Sequence, residues 1–246
     1  MSLLFDDITE RDKTLAVKDL IDDSTPRPSF FFLVVLSVLM AACGLLINNV
    51  AVIIASMLIA PILSPILSLA LGIIISDGRL ISRSFFTLLK SSGYAIGLSA
   101  AVTWLLWNFT SSSDFMFELN TEILSRIEPS IVYLIIAIIA GTATAFARVK
   151  PELSETLPGT AIAVALVPPL ATIGIGVATL RLEVISGALA MFILNAVGII
   201  LAAMVMFSLM NLYTKKTVIS KSVVEADKEL EEQLKKSEKK NKRKKK

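Results

Sequence analysis

The sequence predicts an all-α integral membrane protein with six transmembrane helices, and three observations lead to this prediction. Hydrophobic residues make up 54% of the 246 residues, and the mean hydropathy is +0.74. The apolar residues form long runs with hardly a charge inside them. The charges collect between these runs and at the two ends of the chain. A soluble domain is about 45–50% apolar and interrupts its apolar runs with polar positions, so both amount and arrangement indicate a membrane domain.

The chain divides into a leader, a membrane domain and a tail. Residues 1–28 form an acidic leader that lacks the apolar segment of a signal peptide. Residues 29–212 contain six apolar segments, each near or above the roughly 20 residues that a helix needs to cross a bilayer. Residues 213–246 form a charged tail with a basic end. The six segments cover residues 29–47, 50–76, 84–107, 129–147, 159–178 and 184–210.

Lysine and arginine residues between the segments predict the orientation, because short cytoplasmic loops are enriched in them. With a cytoplasmic N-terminus, the external loops hold only Arg126 and Arg181. We therefore predict a multi-pass protein of the cell membrane with both termini in the cytoplasm. An alternative makes the second and fifth segments re-entrant, which leaves four spans. It would place Arg79 and Arg83 outside the cell.

The two halves of the membrane domain, about residues 29–108 and 129–210, resemble each other. Residues 56–64 (SMLIAPILS) and residues 163–171 (AVALVPPLA) both lie in the second segment of a half. Three spans per half is an odd number, so the halves must insert in opposite orientations. The prediction is a 3+3 inverted repeat, an architecture of many secondary transporters. The competing interpretation is a chance likeness between two apolar segments that contain proline.

Prolines are predicted to break spans two and five near their middles. A proline lacks the N–H donor and clashes with the preceding turn. In lipid such a break survives only inside protein or beside water, and the freed carbonyls and half-helix ends can bind ions. Hydroxyl groups near the breaks and one amide in span six complete the predicted substrate or ion site. Its residues are Pro61, Ser64, Pro65, Ser68, Pro168, Pro169, Thr172 and Asn195. The competing interpretation is structural: proline kinks, and an asparagine that hydrogen-bonds neighbouring helices.

Missing residue types exclude several function classes. The chain has no histidine and one cysteine, Cys43, so Ser-His-Asp, Cys-His and zinc-protease chemistries are excluded. We predict no enzyme activity, no catalytic residue, no metal site and no cofactor. No Asp or Glu lies well inside a span, which argues against simple proton coupling.

Lys90 is the only clear charge inside a span, and it is expected to extend to the membrane surface. Gly93 and Gly97 form a GxxxG pattern that predicts close helix packing.

The tail accounts for the basic balance of the chain. Residues 1–214 hold 11 Lys and Arg against 15 Asp and Glu, a net charge of −4, whereas residues 215–246 hold 13 against 6, a net charge of +7. The charge therefore gives no reason to expect a nucleic-acid partner. A dense basic cluster beside a membrane attracts anionic lipid headgroups, and plain disorder is the alternative. The predicted lipid-contacting residues are Lys235, Lys236, Lys239, Lys240, Lys242 and Arg243.

Several segments of the chain resemble a known family. Residues 54–66 (IASMLIAPILSPI), the Asp77-Gly78-Arg79 region and residues 167–171 (VPPLA) are similar to a bacterial and archaeal membrane family known as the uncharacterised hydrophobic domain family. The resemblance covers roughly residues 30–212. It implies a multi-pass membrane domain. The family has no established active site, so it implies no functional residues.

Together these patterns favour a transporter of a small solute or ion, with its site between spans two and five. The alternative from another class is a membrane scaffold that uses the leader and tail to recruit lipids or partners. A channel lies between the two. The expected partners are the bilayer, anionic lipid headgroups and an unidentified solute or ion, and a homo-oligomer is left open.

Overall fold

The computed structural model describes residues 8–109, 119–150, 152–153, 165–215, 221–226, 228–230 and 232, and within these residues the chain is helical without a strand. The predicted all-α class is therefore confirmed. Residues 221–226 are also helical. In chain order the helices are α1 (Glu10–Asp23), α2 (Pro28–Leu46), α3 (Val50–Ile59), α4 (Leu63–Ile75), α5 (Gly78–Phe109), α6 (Thr121–Leu124), α7 (Ile131–Val149), α8 (Val167–Ala178), α9 (Leu182–Leu209) and a 3₁₀ helix (Leu212–Lys215).

Helices α2, α5, α7 and α9 are long and apolar enough to cross a membrane. Helices α3 and α4 add a fifth span if the pair is counted as one, although it is bent by 51° at a short break. Helix α8 is apolar but has 12 residues. Residues 154–164, which include the first part of the predicted fifth segment, lie outside the described residues. The described chain thus has the architecture of a multi-pass membrane protein with four or five spanning helices.

The exterior of the spanning helices is apolar, unlike the surface of a soluble protein, and the mainly apolar interior also contains small hydroxyl residues. Large apolar side chains are exposed on the spanning helices, including Phe32 and Trp104, both 61% exposed, and Ile131, 71% exposed. Small hydroxyl residues are common where transmembrane helices meet, and an apolar exterior suits lipid. Among the described residues, the fully buried hydroxyl residues are Ser24, Ser37, Ser56, Ser68, Ser84, Ser91, Ser99, Thr103, Thr144 and Thr172.

Prolines lie at the start of both α4 and α8. Helix α3 ends at Ile59, Ala60 is extended with ψ 122°, and Pro61 lies in the gap before α4. A residue before proline avoids the helical conformation, which explains the end of α3. Pro65 follows in the first turn of α4, where a missing N–H breaks no helical hydrogen bond. Helix α8 likewise holds Pro168 and Pro169 in its first turn.

The same tight turn joins α4 to α5 and α8 to α9. Ser76 and Leu180 occupy the left-handed region, each with φ 55°. The residue after each donates its N–H to a glycine carbonyl one turn back, Gly72 in the first case and Gly176 in the second, at 3.0 Å in both. A Cβ on Gly72 or Gly176 would lie 3.0 or 2.9 Å from a side-chain carbon of the following helix. Both turns therefore need glycine for close approach.

The first helix closes one end of the bundle, which we call the α1 end. Its apolar face, formed by Ala16, Val17, Leu20 and Ile21, is at most 4% exposed and packs against α4, α7 and the 3₁₀ helix. The Ser68 hydroxyl of α4 donates to the Leu20 carbonyl at 2.9 Å. Ion pairs also hold α1, joining Glu10 to Lys215 at 2.6 Å and Asp23 to Arg148.

The opposite end, which we call the α6 end, is built around the short helix α6. Asn120 caps α6 and donates its amide to the Leu45 carbonyl at the end of α2, at 2.6 Å. Thr121 donates its hydroxyl to the Asn48 side chain at 3.2 Å. Gly187, near the start of α9, packs against the backbone of Ile127. Helix α6 is thus fixed against both the α2–α3 turn and α9.

Glycines bring the spanning helices together, but the predicted pair is not among them. A Cβ on Gly141 of α7 would lie 2.9 Å from the Ile199 backbone of α9, and one on Gly174 of α8 would lie 2.5 Å from Ser99 of α5. Gly93 and Gly97 are exposed, and a Cβ on either would meet nothing within 4 Å in the described chain. The prediction of close packing within the chain at GxxxG is wrong, because these glycines face outward.

Candidate functional site

A cavity of about 270 Å³ lies between α6 and the start of α8, towards the α6 end. Five helices contribute to its walls. Its lining residues are Val50 of α3, Glu122 of α6 with Ser125 and Arg126 just beyond it, Tyr133 of α7, Ala165 and Pro169 at the start of α8, and Met191 and Asn195 of α9.

The inner part of the cavity lies where α8 begins. Asn195 is 5% exposed and donates its amide to the Ala165 carbonyl at 3.4 Å. Ala165 lies in the left-handed region with φ 42°, which is unfavourable for a residue with a Cβ. Pro169 follows in the first turn of α8. The helix start therefore turns its last non-helical carbonyl towards a buried amide.

An ion pair forms the outer rim. Arg126 and Glu122 approach to 2.7 Å, and each side chain is 19% exposed. The same guanidinium nitrogen, Nη1, donates to the Glu122 carbonyl and to the Ser125 hydroxyl, at 2.6 Å in both cases. Because α6 is anchored to α2 and α9, these groups are held in place. The rim carries both signs of charge and no net charge.

The cavity brings together two of the eight predicted site residues, Pro169 and Asn195. Ser68 is instead hydrogen-bonded to α1, as described above. Thr172 is fully buried, and its hydroxyl has no hydrogen-bond partner among the described residues. The six predicted residues outside the lining are Pro61, Ser64, Pro65, Ser68, Pro168 and Thr172. Whether any of the eight binds a ligand stays a prediction.

Carbonyls of α3 and α8 near the two breaks accept hydrogen bonds from neighbouring helices. The Ser99 hydroxyl of α5 donates to the Ala171 carbonyl at 2.6 Å, and Ser37 of α2 donates to the Ser56 carbonyl at 2.7 Å. Both carbonyls therefore have hydrogen-bond partners within the bundle.

Sequence reasoning missed the rim residues, because they lie in a segment treated as an external loop. Local signals for them exist. Asn120 has the capping role that asparagine favours, and Glu122 and Arg126 have the spacing of a helical ion pair. Ile123 and Ile127, which directly follow Glu122 and Arg126, are buried, at 2% and 9% exposed. This alternation indicates a docked segment rather than a solvated loop.

Two further predictions concern metal ligands and the basic tail. Among the described residues, no cluster of three or more His, Cys, Asp or Glu side chains is placed to hold a metal ion. The predicted lipid-contacting residues Lys235, Lys236, Lys239, Lys240, Lys242 and Arg243 lie outside the described residues.

Comparison with known proteins defines the family. The model of a domain of unknown function, DUF389, matches residues 57–201, which include both proline segments and the inner part of the cavity. An uncharacterized protein of Methanocaldococcus jannaschii is 36% identical over 176 residues, which cover 72% of this chain and 52% of that protein. The chain therefore spans about half the length of this curated relative. No solved structure matches the chain. The resemblance noted from residues 54–66 is confirmed, and the protein belongs to the DUF389 family.

Proposed function

We propose that the protein carries a small solute or ion across the membrane, and that the cavity at the α6 end is its binding site. One observation supports this most directly. The cavity reaches from the α6 rim to Asn195, which lies halfway along the 28-residue helix α9. A ligand there would sit near the middle of the spanning part, where secondary transporters bind substrates beside interrupted helices.

The size and chemistry of the cavity define the ligand class. A volume of about 270 Å³ holds about nine water molecules, at roughly 30 Å³ each. That is enough for a partly hydrated ion or a small metabolite. Asn195 and the Ala165 carbonyl offer a donor and an acceptor at the inner part, and the neutral Arg126–Glu122 pair lines the rim. The site thus suits a small polar ligand with little net charge, or an ion held mainly by dipoles.

A six-span 3+3 inverted repeat is the topology that we propose for this transporter. The two glycine turns support it, because Gly72 and Gly176, and likewise Ser76 and Leu180, are each 104 residues apart. The same shift pairs Pro65 with Pro169. It replaces the alignment of Pro61 with Pro168 suggested by sequence. The first turn lies at the α1 end and the second at the α6 end, as an inverted repeat requires.

In the proposed repeat, residues that line the cavity in one half are equivalent to buried residues in the other half. The shift of 104 residues pairs Met191 and Asn195 with Thr87 and Ser91 of α5. Thr87 and Ser91 are buried, at 2% and 0% exposed, and α1 covers this end. One half therefore has an accessible cavity and the other a closed counterpart. This is the arrangement expected of a transporter that exposes its site to one side at a time.

The α1 end is the cytoplasmic side in this proposal. Arg83, Arg148 and Lys215 all lie at that end, where they contact α1 or its C-terminal turn. Cytoplasmic segments are enriched in Lys and Arg, which supports a cell-membrane protein with a cytoplasmic N-terminus.

A ligand screen followed by flux measurement tests the proposal. Purified full-length protein is first screened by thermal shift against alkali-metal, ammonium, halide and phosphate salts and a panel of small polar metabolites. A ligand that binds only the folded protein raises the melting temperature. We expect at least one compound to raise it, and the same compound to cross proteoliposome membranes faster when the protein is present.

Two matched variants make this test specific. Asn195→Ala removes the amide in the cavity and should abolish both the thermal shift and the flux. Thr142→Ala removes an exposed hydroxyl of α7 that bonds within its own helix, and it should change neither. Flux that survives Asn195→Ala would place the pathway elsewhere. The absence of any ligand or flux would favour the scaffold instead.

A further inference from the structure

A second cavity, of about 710 Å³, forms a groove on the outside of the bundle at the α1 end, and we call it the Lys90 groove. Its walls are mostly apolar. Its lining residues are Pro26, Pro28, Phe31, Lys90, Gly93, Tyr94 and Leu230. The rings of Phe31 and Tyr94 meet edge to face, with centroids 5.3 Å apart.

The groove lies at the level of the membrane surface. Lys90 shares it with Pro28, the first residue of α2. Helix α5 begins at Gly78, so its first 12 residues extend about 18 Å beyond that level. From Lys90 to Phe109 the helix has 20 residues, or about 30 Å, the thickness of the hydrocarbon core. Lys90 therefore marks the edge of the hydrocarbon layer rather than a position inside it.

The charge of Lys90 is available to a ligand. Its neighbour Arg27 is already committed, because it pairs with Asp22 at 3.3 Å and with Glu229 at 3.4 Å. Within the described chain, Lys90 forms no ion pair, and its side chain is exposed. A single unpaired cation beside apolar and aromatic walls, at the membrane surface, is complementary to an anionic amphiphile.

We propose that the Lys90 groove binds an anionic phospholipid. The headgroup phosphate lies on the Lys90 ammonium, and one acyl chain runs towards the bilayer past Phe31 and Tyr94 and over Gly93. The outward-facing Gly93 has a function in this arrangement, since its missing side chain leaves room for the chain. Basic pockets between transmembrane helices at the membrane surface bind such headgroups. The inference is independent of the proposed transport.

Native mass spectrometry of the full-length protein in detergent tests the proposal. The probes are phosphatidylglycerol and phosphatidylcholine with identical acyl chains, added over a range of concentrations. The wild-type protein should prefer phosphatidylglycerol. Lys90→Gln should weaken phosphatidylglycerol binding about five-fold, as expected for the loss of one surface cation, and leave phosphatidylcholine binding unchanged. Inorganic phosphate at millimolar concentration should not compete, because it lacks the acyl chain.

Lys18→Gln is the matched charge control, because Lys18 is exposed on α1 and lies outside the groove. It should leave lipid binding unchanged. The tail lysines are present in every variant, so they add the same background to each measurement. Equal phosphatidylglycerol affinity in wild type and Lys90→Gln, or an equal loss in Lys18→Gln, would overturn the proposal.

A second pair of variants tests the shape of the groove. Gly93→Leu fills it without a clash inside the chain and should reduce binding of both lipids. Gly97→Leu adds the same side chain on the same face outside the lining, and it should have no effect. If both substitutions reduce lipid binding equally and also dissociate a dimer, this face is an interface between copies of the chain, and the lipid proposal is wrong.

Discussion

Gly174 shows how far a single residue determines packing in this bundle. A Cβ at this position would lie 2.5 Å from the Ser99 Cβ and 2.6 Å from the Ile96 carbonyl oxygen of α5. The carbonyl belongs to the backbone, so it cannot move aside as a flexible side chain would. The same contact brings the Ser99 hydroxyl to the Ala171 carbonyl.

Gly174→Ala is therefore expected to destabilise the protein by about 1–3 kcal/mol, the usual cost of overpacking. The measurement is the free energy of unfolding of the detergent-solubilised protein. Gly97→Ala is the control, because a Cβ there meets no other atom within 4 Å in the described chain. It should be neutral or stabilise the helix by up to about 1 kcal/mol. Equal stability of the two variants would contradict the close α5–α8 contact.

At the scale of elements, α1 packs onto one end of the bundle through a single apolar face. Leu20 is fully buried, whereas Leu15 on the same helix is 45% exposed. Leu20→Ala should weaken docking by about 2–5 kcal/mol, because it leaves a cavity between α1 and α4. Limited proteolysis within α1 measures the effect as faster cleavage. Leu15→Ala should leave the cleavage rate unchanged, and faster cleavage in that variant would mean that α1 is not docked by its apolar face.

The first turn of α1 also makes docking respond to pH. Hydrogen bonds from Lys13 and then from Lys215 lower the pKa of Glu10 from its ordinary 4.5 to about 2. Because the folded value is below the unfolded one, this ion pair contributes fully above about pH 4.5 and is lost as pH falls towards 2.

Replacing both lysines, as Lys13→Gln with Lys215→Gln, should return the Glu10 pKa to near 4.5. The carboxyl carbon shift of Glu10, followed by NMR between pH 2 and pH 6, reports the midpoint. If the midpoint stays near 2 in the double variant, the two lysines are not the cause of the shift.

At the scale of the whole molecule, the proposed repeat predicts a hidden counterpart of the cavity. Asn195 and Ser91 are equivalent under the shift of 104 residues, but Asn195 lines the cavity whereas Ser91 is fully buried. In a Cys43→Ser background, Asn195→Cys should react with a membrane-impermeant thiol reagent added from the α6 side. Ser91→Cys should not react from either side while α1 is docked.

Undocking α1 should change this result. Adding Leu20→Ala to the Ser91→Cys variant should make residue 91 reactive from the α1 side, because α1 covers that end. Reaction of Ser91→Cys from the α6 side would place both positions in one continuous pore and favour a channel.

The sequence predicted more of the fold than of the candidate site. Apolar run length predicted the four long spanning helices, because it depends on local composition. Pro168 and Pro169 lie in the first turn of α8, and the predicted break within a fifth span stays a prediction. The rim of the cavity was not predicted, because Glu122 and Arg126 reach their positions only when α6 packs against α2 and α9. Lys90 was expected to extend from inside a span to the membrane surface, and its depth in the bilayer stays a prediction.

The position of α1 has a consequence for the order in which the protein folds. Helix α1 precedes α4, α7 and the 3₁₀ helix along the chain, yet these three elements supply the surfaces on which it packs. The Glu10–Lys215 pair joins residues made 205 positions apart. Contacts of such long sequence separation form late, because the intervening chain must be ordered first. Helix α1 is therefore expected to be among the last helices to pack, and the α1 end stays uncovered until α4, α7 and the 3₁₀ helix are in place.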